Sequence, residues 1–81
     1  MTRIGKYLQV LQAPDNPGRK THVWFVYNFK GHILGRICWK REWRQYVFDS
    51  GVLITLSSGC LDDISRFLQE QNAAHHPRRK G

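Results

Sequence analysis

An 81-residue chain with a net charge of +7 and 41% hydrophobic residues reads as one small basic globular domain, not a disordered polyelectrolyte. A domain this small buries a modest core, which argues against an enzyme that must build both a scaffold and a deep pocket. The longest apolar runs, Val23–Tyr27 and Val52–Ile54, fall far short of the ~20 residues of a membrane-spanning helix.

The start, Met1-Thr2-Arg3-Ile4-Gly5-Lys6, is basic but leads into no apolar stretch. It is not read as a secretion signal, and a cytoplasmic location is expected. Cys38 and Cys60 fit that compartment as reduced thiols. Ile4–Gln12 reads as a first strand, with Leu8 and Val10 on one side and Tyr7, Gln9 and Leu11 on the other; a helix over the same residues stays open. Ala13–Gly18 holds two prolines and a glycine and is a loop. His22–Asn28, β-branched and aromatic, is a strand. Asn28-Phe29-Lys30-Gly31 is a turn signal, Asn suiting the first position of a type I turn and Gly the left-handed conformation at its end. His32–Trp39 and Trp43–Asp49 follow as an antiparallel pair joined at Lys40-Arg41-Glu42. Ser50-Gly51 turns the chain into a short last strand, Val52–Leu56.

The period then changes. Cys60, Leu61, Ile64, Phe67 and Leu68 form the apolar stripe of an amphipathic helix. Ser57 or Ser58 is the expected N-cap, with Asp62 and Asp63 in the first turn, where the helix dipole favours anions. The helix is expected to fade near Asn72, leaving residues 73–81 as a flexible basic tail without an apolar anchor. The predicted fold class is α+β, an antiparallel meander of four to five strands packed by one C-terminal helix over residues 1–72.

Antiparallel pairing assigns the faces. A turn with a bulge at Asn28–Gly31 and a loop tip at Arg41-Glu42 put Val23, Phe25, Tyr27, Ile33, Ile37, Tyr46 and Phe48 under the helix. Trp24, Val26, Arg36, Cys38, Lys40, Trp43, Gln45 and Val47 then face outward. A one-residue slip in the first hairpin exchanges Trp24 for Phe25 on the outer face. Either register leaves an aromatic beside Arg36.

Charge divides along the chain. Residues 1–45 hold nine Lys/Arg against Asp15 and Glu42, whereas residues 46–72 hold Arg66 against Asp49, Asp62, Asp63 and Glu70. The sheet half is thus basic and the helical half mildly acidic, a field that attracts polyanions or acidic surfaces. Trp24, Arg36, Lys40, Arg41, Trp43 and Arg44 are the candidate partner-binding residues. Aromatics there can stack on bases while cations track phosphates. Trp and Arg equally dominate protein–protein hot spots. The bland alternative covers this face with the N-terminal strand and loop, the cations reaching past apolar neighbours to water. Cys60 near a helix start favours a thiolate, but no spacing brings His22 or His32 to it as a base. Cys38, Cys60 and the histidines lack zinc-ligand spacing. Asp62-Asp63 is a charge pair rather than a catalytic dyad. His75-His76-Pro77-Arg78-Arg79-Lys80 is either an electrostatic arm or a solubilising end.

The pattern Val23-Trp24-x-Val26-Tyr27, Leu34-Gly35-x-Ile37-x-Trp39, Trp43-Arg44-Gln45-Tyr46-Val47-Phe48 and Gly59-Cys60-Leu61-x-x-Ile64-x-x-Phe67 resembles small proteins of phages and mobile elements. It spans residues 22–70 and consists of strand and helix positions. Proteins of that size and origin look like anti-defence proteins, anti-CRISPR inhibitors among them, which are non-catalytic plugs on host effector complexes. Double-stranded RNA-binding domains also run three strands into a C-terminal helix. They open with a helix and carry lysines where this chain has Leu61-Asp62-Asp63. Small archaeal chromatin proteins are similar in their basic meander and exposed tryptophan, with different strand lengths and turns.

The expectation is therefore a non-enzymatic binding protein without metal or cofactor. What the resemblance implies as partner is a host protein or ribonucleoprotein complex. Direct nucleic-acid binding through the basic-aromatic face is the alternative. Neither a membrane nor a small molecule is expected as partner, and oligomeric state stays open.

Overall fold

A computed structural model describes residues 1–15, 17–18, 20–51 and 53–75. Five strands, β1 (Thr2–Arg3), β2 (Leu8–Gln12), β3 (Trp24–Asn28), β4 (Ile33–Lys40) and β5 (Gln45–Asp49), precede one helix, α1 (Ser58–His75). The strands lie side by side in chain order, every neighbouring pair antiparallel. The α+β meander closed by a C-terminal helix is the architecture that the change of period implies.

The expected first strand is broken in two. Ile4 N–H donates to Leu8 O at 3.0 Å, so the chain doubles back and Thr2–Arg3 pairs with Gln9–Val10 as an edge strand. The break is held by the helix. Asp63 is buried and accepts from Arg66 Nη2 at 3.0 Å and from Tyr7 N–H at 3.4 Å. Arg66 Nη2 also donates to Ile4 O at 3.1 Å. A Cβ on Gly5 would lie 2.1 Å from the Asp63 carboxyl, so only glycine fits. Gly5→Ala is expected to destabilise the fold by about 1–3 kcal/mol through overpacking. Asp63→Ala, which strips the Tyr7 amide and Arg66 of their acceptor, is expected to cost a similar ~1–3 kcal/mol. Denaturant titration of both variants checks this.

At the first hairpin, Asn28 O accepts from Gly31 N–H at 3.1 Å, and Asn28 Oδ1 accepts from the amides of Lys30 and His32. Gly31 takes φ of 89°, as the turn requires. Tyr27 pairs with Ile33 as expected, but a bulge at Val26/Tyr27 makes Leu34 an extra residue. Beyond it Val26 pairs with Gly35, Phe25 with Arg36 and Trp24 with Ile37. This slip overturns the face assignment of β3. Trp24 and Val26 are core, and Phe25, Tyr27 and Ile33, expected under the helix, face outward. Gly35 permits it, because a Cβ there would come within 2.6 Å of Asp49 O, where the chain leaves β5.

The β4–β5 connection is a four-residue turn, Arg41–Arg44, with Lys40 paired to Gln45 and Trp39 to Tyr46. The register differs by two residues from a tip at Arg41-Glu42, so the faces of β5 are unchanged. Trp43, expected at the start of β5, is in the turn. Arg44 closes it with φ of 54°, a left-handed conformation uncommon for a non-glycine residue. The expected strand Val52–Leu56 does not form over Leu53–Leu56, and Val52 lies outside the described residues. Thr2–Arg3 supplies the fifth strand instead.

The helix is capped by Ser57, whose Oγ accepts from Cys60 N–H at 3.2 Å. Asp62 and Asp63 therefore fall in the second turn, not the first. Ile64 and Phe67 are buried and Leu68 is half-buried, whereas Leu61 is exposed and Asp63 is buried. The helix does not fade at Asn72. Asn72 Oδ1 accepts from Tyr46 N–H at 2.7 Å, satisfying an outward amide of edge strand β5. One turn on, His75 packs 4.4 Å from the Trp39 ring. Ala73–His75 are thus anchored helix; the remainder of the expected tail, residues 76–81, lies outside the described residues. Leu8, Val10, Trp24, Val26, Ile37, Tyr46, Ile64 and Phe67 are the core.

Candidate interaction surface

Strand alternation builds the surface opposite the helix. Arg3, Gln9, Leu11, Phe25, Tyr27, Ile33, Arg36, Cys38, Lys40, Gln45, Val47 and Asp49 point away from the core by register. One cross-strand row runs Leu11, Phe25, Arg36, Asp49; the next runs Arg3, Gln9, Tyr27, Ile33. The N-terminal segment joins the sheet as its edge instead of covering this face, and the only described helix packs on the other side. Leu11 and Ile33 are accordingly 43% and 52% exposed. Near the end of β5, Phe25, Ile33, Leu34, Arg36, Asp49 and Gly51 line an open hollow of about 320 Å³.

The six candidate partner-binding residues separate into two groups. Trp24 is withdrawn. It is 7% exposed and sits edge-on to Tyr46, Phe67 and His22 at ring separations of 5.5, 5.1 and 5.6 Å. Arg36 lies in the middle of the outer face, 3.9 Å from Asp49, in an exposed and therefore weak ion pair. Lys40, on the same face by alternation, holds its ammonium 5.2 Å from the Trp43 ring centre and 3.9 Å from Glu42. Trp43 is 62% exposed, and Arg41 and Arg44 are exposed beside it in the turn. The tip thus pairs a cation with an indole, a contact worth roughly 0.5–1 kcal/mol in water. At the far edge Arg3 sits 4.9 Å over the Phe29 ring.

Leu11, Phe25, Tyr27, Ile33 and Arg3 were missing from the residues that the sequence singled out. The one signal for Phe25 was the alternative register, which trades it for Trp24. For Leu11 the signal was the alternation of the first strand, which sets it opposite Leu8 and Val10.

Elsewhere the chemistry is structural. His22 Nδ1 donates to the Asp15 carboxylate at 2.8 Å, and Gln12 Nε2 donates to the same oxygen at 3.3 Å. The hydrogen bond from His22, aided by its charge when protonated, holds the Asp15 carboxyl below the ordinary aspartate range. A folded-state pKa below the unfolded one contributes stability above the ordinary carboxylate value, lost as pH falls through the lowered one. Carboxyl NMR titration is expected to show Asp15 moving up to the ordinary range in His22→Ala. Cys38 and Cys60 are free thiols, and among the described residues no group of three or more His, Cys, Asp or Glu is placed to hold a metal ion. No described helix is long and apolar enough to cross a membrane.

Comparison of the chain with protein-family models, curated proteins and solved structures finds no match.

Proposed function

We propose that the domain is a non-catalytic inhibitor that docks, through its outer sheet face and hairpin tip, on a protein of a host nucleic-acid-handling complex. The observation that carries the docking half is a sheet face that no described helix covers. It presents exposed Leu11 and Ile33 and half-buried Phe25 and Tyr27 on adjacent strands, with an exposed tryptophan at one end. Apolar groups on such a face sit in water until a partner covers them. The inhibitor half rests on the resemblance to small mobile-element proteins of the anti-defence kind.

The corrected register weighs between the two partner classes. With Trp24 buried, the outer face has no tryptophan beside Arg36, and Arg36 is opposed by Asp49. A base-stacking platform wants cations free for phosphates, whereas an interface core wants few charges. The face favours protein. Lys40 over Trp43, flanked by Arg41 and Arg44, supports the alternative of nucleic-acid binding at the tip alone.

Salt separates the readings. Each phosphate contact releases counterions, so affinity through the three tip cations is expected to fall steeply between 50 and 200 mM salt. Titrating labelled single- and double-stranded DNA and RNA is expected to give weak binding without strand preference, vanishing at moderate salt. Capture from a host lysate is expected to survive nuclease treatment. Tight, strand-selective binding that persists in salt, or capture abolished by nuclease, would favour the nucleic-acid reading.

A further inference from the structure

Resting on the docking reading, we infer that the protein surface this face fits sets separated carboxylates among apolar side chains. A second copy of this chain does not fit it. Among the described strand residues three cations lie on the face: Arg3 on the β1 edge, Arg36 at the centre and Lys40 toward the tip. Asp49 is the one carboxylate among the strand residues that share it. The remaining carboxylates of the sheet half are outside these strands, at Asp15 in the loop and Glu42 in the turn.

The spacing specifies the partner further. Arg36 and Lys40 are four residues apart on one strand, about 13 Å at the rise of an extended chain. Arg3 and Arg36 are separated by three strand spacings, about 14 Å across the sheet. Both separations exceed the Debye length of about 8 Å at physiological salt, so each cation attracts its own counter-charge. These cations form a triangle that encloses Phe25, with Tyr27 and Ile33 just outside it in the row that begins at Arg3. A phosphate backbone, with its charges closely spaced along one line, does not follow such a triangle. A folded surface that sets single Asp or Glu residues among aliphatic side chains does. Two copies of this face would bring three cations against three with two aspartates between them, and a net charge of +7 on each chain adds to the repulsion.

The same field limits where on a nucleic-acid-handling complex such docking takes place. Channels that hold nucleic acid are themselves positive and repel this face. The complementary sites are acidic protein surfaces outside the channel. Inhibition from there works by blocking a partner or a movement, not by imitating nucleic acid.

The test uses the isotope-labelled full chain and backbone amide NMR with three probes: a soluble peptide of alternating Glu and Leu, its Lys and Leu counterpart, and a 12-residue oligothymidylate. The inference predicts amide shifts at Leu11, Phe25, Arg36 and Lys40 with the Glu/Leu peptide, at an affinity about ten-fold or more above that of the Lys/Leu peptide. Arg36→Gln with Lys40→Gln is expected to erase that preference while the melting temperature stays within a few degrees. Equal outer-face shifts from both peptides overturn the charge inference and leave docking by this face standing. Shifts from the oligonucleotide alone, confined to Arg41–Arg44, overturn both. Concentration-dependent shifts of Leu11 and Phe25 without any probe identify a second copy as the occupant and overturn the inference. No outer-face shift from either peptide at millimolar concentration also overturns it.

Discussion

Trp24→Ala is expected to be among the most destabilising single substitutions in this chain, at about 3–5 kcal/mol. The indole fills the space between sheet and helix, 5.1 Å from the Phe67 ring and 5.5 Å from Tyr46. At roughly 4–8 °C of melting temperature per kcal/mol for a domain of this size, the variant is expected to be largely unfolded near 37 °C. Phe67→Ala belongs to the same class, because it removes the helix side of that contact. Thermal denaturation followed by near-ultraviolet circular dichroism measures both. A shift of only a few degrees for Trp24→Ala would mean that the indole is not in the core, and the register of the first hairpin would have to be redrawn.

The second large effect is on binding. Phe25→Glu sets a carboxylate in the centre of the outer face beside Leu11, with no change to the helix side of the sheet. It is expected to abolish partner capture, since an unpaired charge buried in an interface costs several kcal/mol. Trp43→Ala is expected to lose about 2 kcal/mol or more of binding, as truncated hot-spot tryptophans do. Trp43 touches solvent over 62% of its surface, so its loss is expected to move thermal unfolding by only a few degrees. The contrast between the two tryptophans is the signature: Trp24→Ala removes the fold, Trp43→Ala removes the partner. If Trp43→Ala unfolds the domain while binding survives in the folded fraction, the docking surface lies elsewhere.

How far the sequence reached depended on whether a feature was local. The meander, its turns and the closing helix were legible because each rests on short-range chemistry: Asn28 and Gly31 for the turn, Ser57 for the cap, Ile64, Phe67 and Leu68 for the stripe. Faces were legible for β2, for β5 and for β4 beyond the bulge, where alternation runs through Leu8 and Val10, Tyr46 and Phe48, and Ile37 and Trp39. They failed for β3 and for Ile33 at the start of β4, because one extra residue at Leu34 inverts the relation between the side chains on its two sides. Nothing near Leu34 announces a bulge except Gly35, and its reason is tertiary: the approach of the chain at Asp49 and Ser50. The break in the first strand is equally non-local, set by Asp63 more than fifty residues away. The candidate site inherited these limits. Its tip, Lys40 to Arg44, was readable from the turn; its apolar centre appeared only once Phe25 and Trp24 had exchanged faces.

The outer sheet face is the surface that a partner is expected to cover. Hydroxyl-radical footprinting of the complex captured from nuclease-treated host lysate measures this at single side chains. Protection of Phe25, Tyr27 and Trp43 is expected, with Tyr7, Phe29 and Leu61 oxidised as fast as in the free protein. Unchanged oxidation of Phe25 and Tyr27, with protection gathered instead around Tyr7, Phe29 and Leu61, would contradict it.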